Sequence, residues 1–245
     1  MKKFGLIGYP LSHSFSKSFF DKKFDRENIL DAEYQNYPLE KIEDFPALIE
    51  NIKDLKGLNV TTPYKESIIP YLTELDDTAK AIGAVNTIKF IDGKLIGYNT
   101  DAWGFAKSLL GMAHADMKTA IIIGDGGAAK AVKYVLGRIG ISYKTVNRTK
   151  KENSLTFEEL NNELISSTKL FIQTTPVGTF PNVNEMPPIP MNAINSSHKA
   201  IDLIYNPEET LFLKSMKEKG ASTKNGMEML HAQALEAWKI WNNGL

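Results

Sequence analysis

The sequence contains no cysteine. That absence excludes disulfides, thiolate nucleophiles, iron–sulfur clusters and cysteine-ligated zinc. An excess of one charge is missing too, because 29 basic residues balance 29 acidic ones and the formal net charge is zero. Such a balance gives nucleic acid no general attraction, so no nucleic-acid partner is expected. No apolar run approaches the roughly 20 residues of a membrane-spanning helix, and no membrane partner is expected. Met1-Lys2-Lys3-Phe4 is followed by Gly8 and Pro10, too soon for a signal-peptide core. The four histidines, His13, His114, His198 and His231, lack ligand spacing, so no metal is expected. His13 reads as structural, and the other three as surface or helix residues. A soluble, cytoplasmic protein is the expectation.

What is present is a chain of 245 residues with two rhythms. At about 150 residues per domain, this length suits one large domain or two small ones. Phe4–Ile7, Leu58–Val60, Ala84–Phe90 and Lys94–Tyr98 read as strands, and Asp92-Gly93 is a hairpin signal. From Thr119 the strands Ala120–Ile123, Tyr143–Val146, Leu170–Gln173 and Ala200–Leu203 alternate with helix-length segments such as Ala128–Ile139 and Glu208–Lys219. That alternation argues for a parallel sheet with helices on both faces. Met229, Leu230, Ala234, Leu235, Trp238 and Trp241 recur at helical spacing, giving a final helix over 228–242 with one apolar face. The rhythms change near Thr100–Trp103. The fold class is therefore α/β in two domains, with chemistry expected in the cleft between them.

Ile121-Ile122-Ile123 runs into Gly124-Asp125-Gly126-Gly127-Ala128-Ala129. Gly124, Gly126 and Ala129 fit G-x-G-x-x-G/A between a strand and a helix, the context a dinucleotide-binding turn requires. The first glycine permits the turn, and the second lets backbone approach a pyrophosphate. The small third residue packs helix on strand, while the helix start attracts phosphate. Asp125 adds a negative charge beside that position. NAD enzymes tend to place an acid about 20 residues further on. Here the next strand ends in Asn147-Arg148-Thr149-Lys150-Lys151, which lacks the acid and offers cations for a 2′-phosphate. NADP is the expected cofactor.

Four further segments place polar residues at predicted strand ends: 8–16, Asn59–Glu66, Gly83–Ile88 and Gly97–Asp101. With these the chain resembles the shikimate dehydrogenase family. The resemblance rests on Ser14-Phe15-Ser16, Asn59-Val60-Thr61-Thr62-Pro63-Tyr64-Lys65, Gly83-Ala84-Val85-Asn86-Thr87 and Asn99-Thr100-Asp101. It continues through the glycine turn, Asn147-Arg148-Thr149, Tyr205-Asn206-Pro207 and Gly226-Met227-Glu228-Met229-Leu230 with Gln233. These pieces run in the family's order over nearly the whole chain.

The resemblance implies a substrate domain over 1–101, completed by C-terminal helices from about 226 to 245, and a Rossmann-type NADP-binding domain over 102–225. It implies Lys65 and Asp101 as the catalytic pair, with Ser14, Ser16, Thr61, Asn86, Tyr205 and Gln233 around the substrate. Gly124, Gly126, Gly127, Ala128, Asn147, Arg148, Thr149 and Gly226 would serve the cofactor. Shikimate and 3-dehydroshikimate are the implied small-molecule partners, and the protein is expected to be a monomer or homodimer. Lys17 stands where proline is common in the family, Asp125 where a small residue is usual, and Thr179 where methionine is common.

Oxidising a secondary alcohol with NADP requires a positioned hydride donor and an acid–base group for the hydroxyl proton. A lysine–aspartate pair meets the second need without metal or histidine. Two other readings stay open at this point: a quinate/shikimate dehydrogenase using NAD or NADP, and a non-catalytic NADP-binding regulator.

Overall fold

The computed structural model describes residues 1–11, 14–112 and 116–242, so His13 and His114 lie outside the described residues. The chain divides into two compact units, residues 1–100 with 234–245 and residues 101–233.

The first unit contains β1 (Lys2–Gly8), α1 (Phe15–Glu27), β2 (Ala32–Pro38), α2 (Phe45–Glu50), β3 (Leu55–Val60), β4 (Glu74–Leu75), α3 (Asp77–Ile82), β5 (Thr87–Ile91) and β6 (Lys94–Tyr98). Its mixed sheet has the order β2-β1-β3-β5-β6-β4. β1 runs parallel to β2 and β3, whereas β5 is antiparallel to β3 and β6. The expected hairpin is present, with Asp92 (φ 50°) and Gly93 (φ 74°) both left-handed as a type I′ turn demands. The register brings the ends of β1, β3 and β6 and the start of β5 to one edge. Ile7 pairs with Val60, Asn59 with Thr87, and Thr87 with Tyr98. All four polar segments therefore leave the sheet on the same side.

β5 starts at Thr87, three residues later than the expected strand at Ala84. The intervening groups are engaged elsewhere: Ala84 O accepts from Asn99 Nδ2 at 2.9 Å, and Val85 N donates to Lys65 O at 2.7 Å.

The second unit follows with α4 (Thr100–Leu110, starting at the division), β7 (Thr119–Ile123), α5 (Gly127–Arg138), β8 (Ser142–Asn147), β9 (Ser154–Thr156), α6 (Asn162–Ser167), β10 (Leu170–Gln173), β11 (Lys199–Asp202), α7 (Leu211–Glu218) and β12 (Ser222–Lys224). Its sheet is wholly parallel, in the order β12-β11-β10-β7-β8-β9. The winding reverses between β7 and β10, the place where such sheets bind ligands beyond their strand ends. α7 begins at Leu211 rather than Glu208, because Thr210 is its N-cap and accepts from Leu213 N at 3.3 Å.

α8 (Met227–Asn242) passes through the second division point. Its C-terminal half supplies Ala234, Ala237 and Trp241 to an aromatic core of the first unit with Phe4, Phe20, Phe24 and Tyr34. Trp241 stacks on Phe4 at 4.9 Å and donates its indole N–H to Ile88 O at 3.0 Å. The indole lies against Gly57, where a Cβ would have no room. The second unit packs Ile121, Ile123, Phe171, Phe212 and Met216 into a separate core.

Candidate active site

Within the first unit, buried polar side chains join several residues singled out from the sequence. Asn86, 3% exposed, accepts from Thr100 N at 2.7 Å through Oδ1, and its Nδ2 donates to Thr100 Oγ1 at 3.0 Å. Thr100 is the last residue before Asp101, which is buried in the first turn of α4, where a helix start favours negative charge. Thr61 N donates to Ile7 O at 2.9 Å, and Tyr64 N donates to Thr61 O at 3.0 Å. That turn carries Lys65, whose carbonyl accepts from Val85 N. Ser14 is the N-terminal flanking residue of α1, and its Oγ is buried with no protein partner. Lys17, where the family commonly has proline, pairs with Asp21 at 2.8 Å and donates to Tyr34 O at 3.2 Å.

The second unit gathers the cofactor candidates at the C-terminal ends of β7 and β8. Gly124 has φ 100°, and a side chain there would run into Thr175 and Thr174. A Cβ on Gly126 would meet nothing within 4 Å, so the turn leaves open space on that face. Ala129, fully buried, packs the start of α5. Asn147 is 8% exposed, and its Nδ2 is a buried donor without a protein partner. Such an orphan is costly unless a ligand accepts from it.

The basic loop is sorted by its ion pairs. Lys150 binds Glu159 at 2.6 Å and Lys151 binds Asp125 at 3.3 Å. Arg148 is exposed and makes no ion pair among the described residues. Of the three cations, Arg148 is the one left for a ligand phosphate. Asp125 does not stand alone beside the turn, since Lys133 also pairs with it. Burial acts to raise its carboxyl, but the hydrogen bonds and charges of Lys133 and Lys151 outweigh that and hold it below the ordinary range. These residues fit a dinucleotide: an open glycine turn, an orphan amide and an unpaired guanidinium at neighbouring strand ends.

Tyr205 is half-buried, and burial raises its phenol above the usual value. It follows Asp202, whose Oδ2 accepts from Thr210 Oγ1 at 2.6 Å and whose Oδ1 accepts from Ile204 N at 3.0 Å. Gly226 fits beneath Leu203, where a Cβ would collide with the carbonyl, and its N–H donates to Ile204 O at 2.9 Å. This close approach accounts for the glycine on packing grounds. Gln233 Nε2 donates to Leu230 O at 3.0 Å on α8. His231 is exposed on α8, but His198 corrects the surface reading. It is 1% exposed, takes Asn195 N at 3.0 Å on Nδ1, and sets Nε2 3.2 Å from Ile165 O.

Tyr34, Asn59, Gln173 and Asp202 were not singled out as side chains that organise the site. Gln173, fully buried, donates to Val177 O at 3.1 Å and accepts from Thr175 Oγ1 at 3.0 Å, closing the loop at 173–179. For Asn59, Gln173 and Asp202 the signal is a polar residue at or near the C-terminal end of an apolar strand, whereas Tyr34, third in the polar strand β2, carries none.

A parallel sheet with a glycine turn at β7, a reversal of winding, and a second mixed-sheet unit define a two-unit Rossmann-type α/β protein. The family described as the shikimate dehydrogenase substrate binding domain matches residues 6–88. Over 97% of this chain and 90% of the relative, it is 39% identical to a shikimate dehydrogenase (NADP(+)) of Methanosphaera stadtmanae. The Aquifex aeolicus shikimate dehydrogenase structure superposes with a TM-score of 0.88 at 38% identity, covering 99% of this chain and 92% of that one. The Thermus thermophilus shikimate 5-dehydrogenase, in complex with NADP(H) and shikimate, gives 0.87 at 28% identity, covering 100% and 95%. The chain belongs to the shikimate dehydrogenase family.

Proposed function

We propose that this protein catalyses the reversible, NADP-dependent reduction of 3-dehydroshikimate to shikimate. The observation that carries the reading is the relationship of almost the whole chain to shikimate dehydrogenases (NADP(+)). Residues 1–101 with the C-terminal helix from about 226 bind the substrate, and residues 102–225 hold the cofactor. Bound NADP supplies the acceptor and donor of hydride. Gly124, Gly126, Gly127 and Ala128 cradle its pyrophosphate, Asn147 and Thr149 hydrogen-bond its ribose and phosphate, and Arg148 pairs with the 2′-phosphate. Ser14, Ser16, Thr61, Asn86, Tyr205 and Gln233 orient the substrate's carboxylate and hydroxyls. Lys65 exchanges the hydroxyl proton and Asp101 orients Lys65, so the chain's own contribution is placement and proton transfer. The protein works in the cytoplasm as a monomer or homodimer, with shikimate and 3-dehydroshikimate as its small-molecule partners.

The cofactor assignment is tested at Arg148. A charge-assisted pair to phosphate is worth about 1.5–3 kcal/mol, which corresponds to roughly 10–150-fold in affinity. Arg148→Ala is expected to raise KM for NADP⁺ in that range and leave KM for NAD⁺ nearly unchanged. Equal effects on both cofactors would contradict the 2′-phosphate role. Shikimate-dependent reduction of NADP⁺ by the purified wild-type protein tests the reaction itself, and cofactor binding without turnover would defeat it.

A further inference from the structure

We propose that Tyr34 is a positioning residue for the reaction, bracing from β2 the residue that precedes Asp101. The proposal rests on the functional reading above and adds a residue to it. Tyr34 lies on β2, the edge strand of the first sheet, is 1% exposed, and stacks on Phe20 with ring centroids 4.5 Å apart. Its hydroxyl donates to Asn59 Oδ1 at 2.8 Å. Asn59 Nδ2 donates onward to Thr87 Oγ1 at 3.1 Å and to Asn86 O at 3.2 Å. Thr87 Oγ1 donates to Asn86 Oδ1 at 3.2 Å, and Asn86 holds Thr100 through both its backbone N–H and its hydroxyl.

The donors run one way from Tyr34 through Asn59 and Thr87 to Asn86, and at the far end Asn86 both donates to Thr100 Oγ1 and accepts from Thr100 N. The single phenolic proton goes to Asn59, and Tyr34 meets α1 through the Phe20 ring stack and through its own carbonyl, which accepts from Lys17 Nζ at 3.2 Å. Burial keeps the phenol protonated by raising it far above its usual value. Asn59, Asn86, Thr87 and Thr100 are also buried. A buried and connected network cannot lose one member without leaving its neighbour unpaired, so its geometry is held more tightly than that of isolated contacts. One end lies at Tyr34, packed against Lys17 and Phe20 of α1, and the other fixes the peptide leading into Asp101. A displacement of Asp101 by a fraction of an ångström lowers the chemical rate while leaving the cofactor site untouched.

Tyr34→Phe retains the ring and its stack and removes only the hydroxyl. We expect kcat for shikimate oxidation to fall about tenfold, with KM for NADP⁺ within twofold of wild type. Thr100→Val, at the far end, is expected to fall by a similar factor, and the double variant to be no slower than the slower single, because both cut one network. If Tyr34→Phe does not fold, Thr100→Val with Asn59→Ala gives the same comparison. Wild-type kcat in the single variants overturns the proposal, as do losses that multiply in the double. A role confined to stability would lower Tm and leave kcat and KM as they are, which also overturns it. Wild type without shikimate turnover removes the functional reading and this inference with it. Wild type that turns over alongside unaffected variants removes the inference alone.

Discussion

Replacing Lys65 by alanine is expected to lower kcat for shikimate oxidation by about 10²–10⁴, the range that a general acid–base group supplies. The side chain has no neighbouring substitute of the same reach in its own turn, where Thr61, Thr62, Pro63 and Tyr64 precede it. Tyr64 is committed, because its hydroxyl donates to Leu39 O at 2.6 Å. Lys65 is held at its carbonyl by Val85 N, so truncating the side chain leaves the backbone bond and the fold in place. The loss should therefore fall on kcat, with KM for NADP⁺ close to wild type. Steady-state kinetics over a range of both substrates reads the split. Near-normal turnover would remove Lys65 from the proton-transfer role, and a rise in KM for NADP⁺ alone would move it to the cofactor.

The second large effect is on stability and comes from Asp202. This carboxyl is fully buried at the end of β11. Burial pushes it up to about 7, while the hydrogen bonds from Thr210 and Ile204 act in the opposite sense and only partly offset the rise. In the unfolded chain an aspartate titrates near 4. Between those values the folded protein holds a proton that the unfolded chain has released, so folding is favoured at low pH. The contribution is fully present below about pH 4, declines as pH rises, and is gone above about 7. At 1.36 kcal/mol per pH unit the total is roughly 4 kcal/mol. Asp202→Asn cannot ionise, so its stability relative to wild type should rise by about that amount across the window. Urea unfolding from pH 4 to pH 8 without cofactor measures the difference. A constant gap between the two proteins would show that Asp202 titrates alike in the folded and unfolded chains.

The parts of the fold that were readable in the sequence are those whose cause is local. Asp92-Gly93 forms its turn because both residues tolerate left-handed backbone. The glycine turn is visible because Gly124, Gly126 and Ala129 are spaced by the geometry of one strand–helix junction. Lys94–Tyr98 and Leu170–Gln173 coincide with β6 and β10 to the residue, since turn residues or polar loops bound them. β2 leaves no sequence signal, because an edge strand of sequence Ala-Glu-Tyr-Gln-Asn-Tyr-Pro has no clear alternation and owes its pairing to β1. The same distance hid the organisation of the site. Asp125 meets Lys133 eight residues on and Lys151 twenty-six residues on, so only the folded sheet shows that Lys151 is occupied and Arg148 is not. Tyr34 and Asn59 are twenty-five residues apart, and no short motif links an edge-strand tyrosine to a central-strand asparagine. His198 reads as a surface residue until the loop before β11 folds it over Ile165.

Initial rates with four pairs, shikimate or quinate with NADP⁺ or NAD⁺, test the central claim most directly. The account predicts the highest kcat/KM for shikimate with NADP⁺, and a cofactor preference that collapses in Arg148→Ala. A higher kcat/KM for quinate or for NAD⁺, or no turnover with any pair by protein that binds NADP⁺, would contradict it.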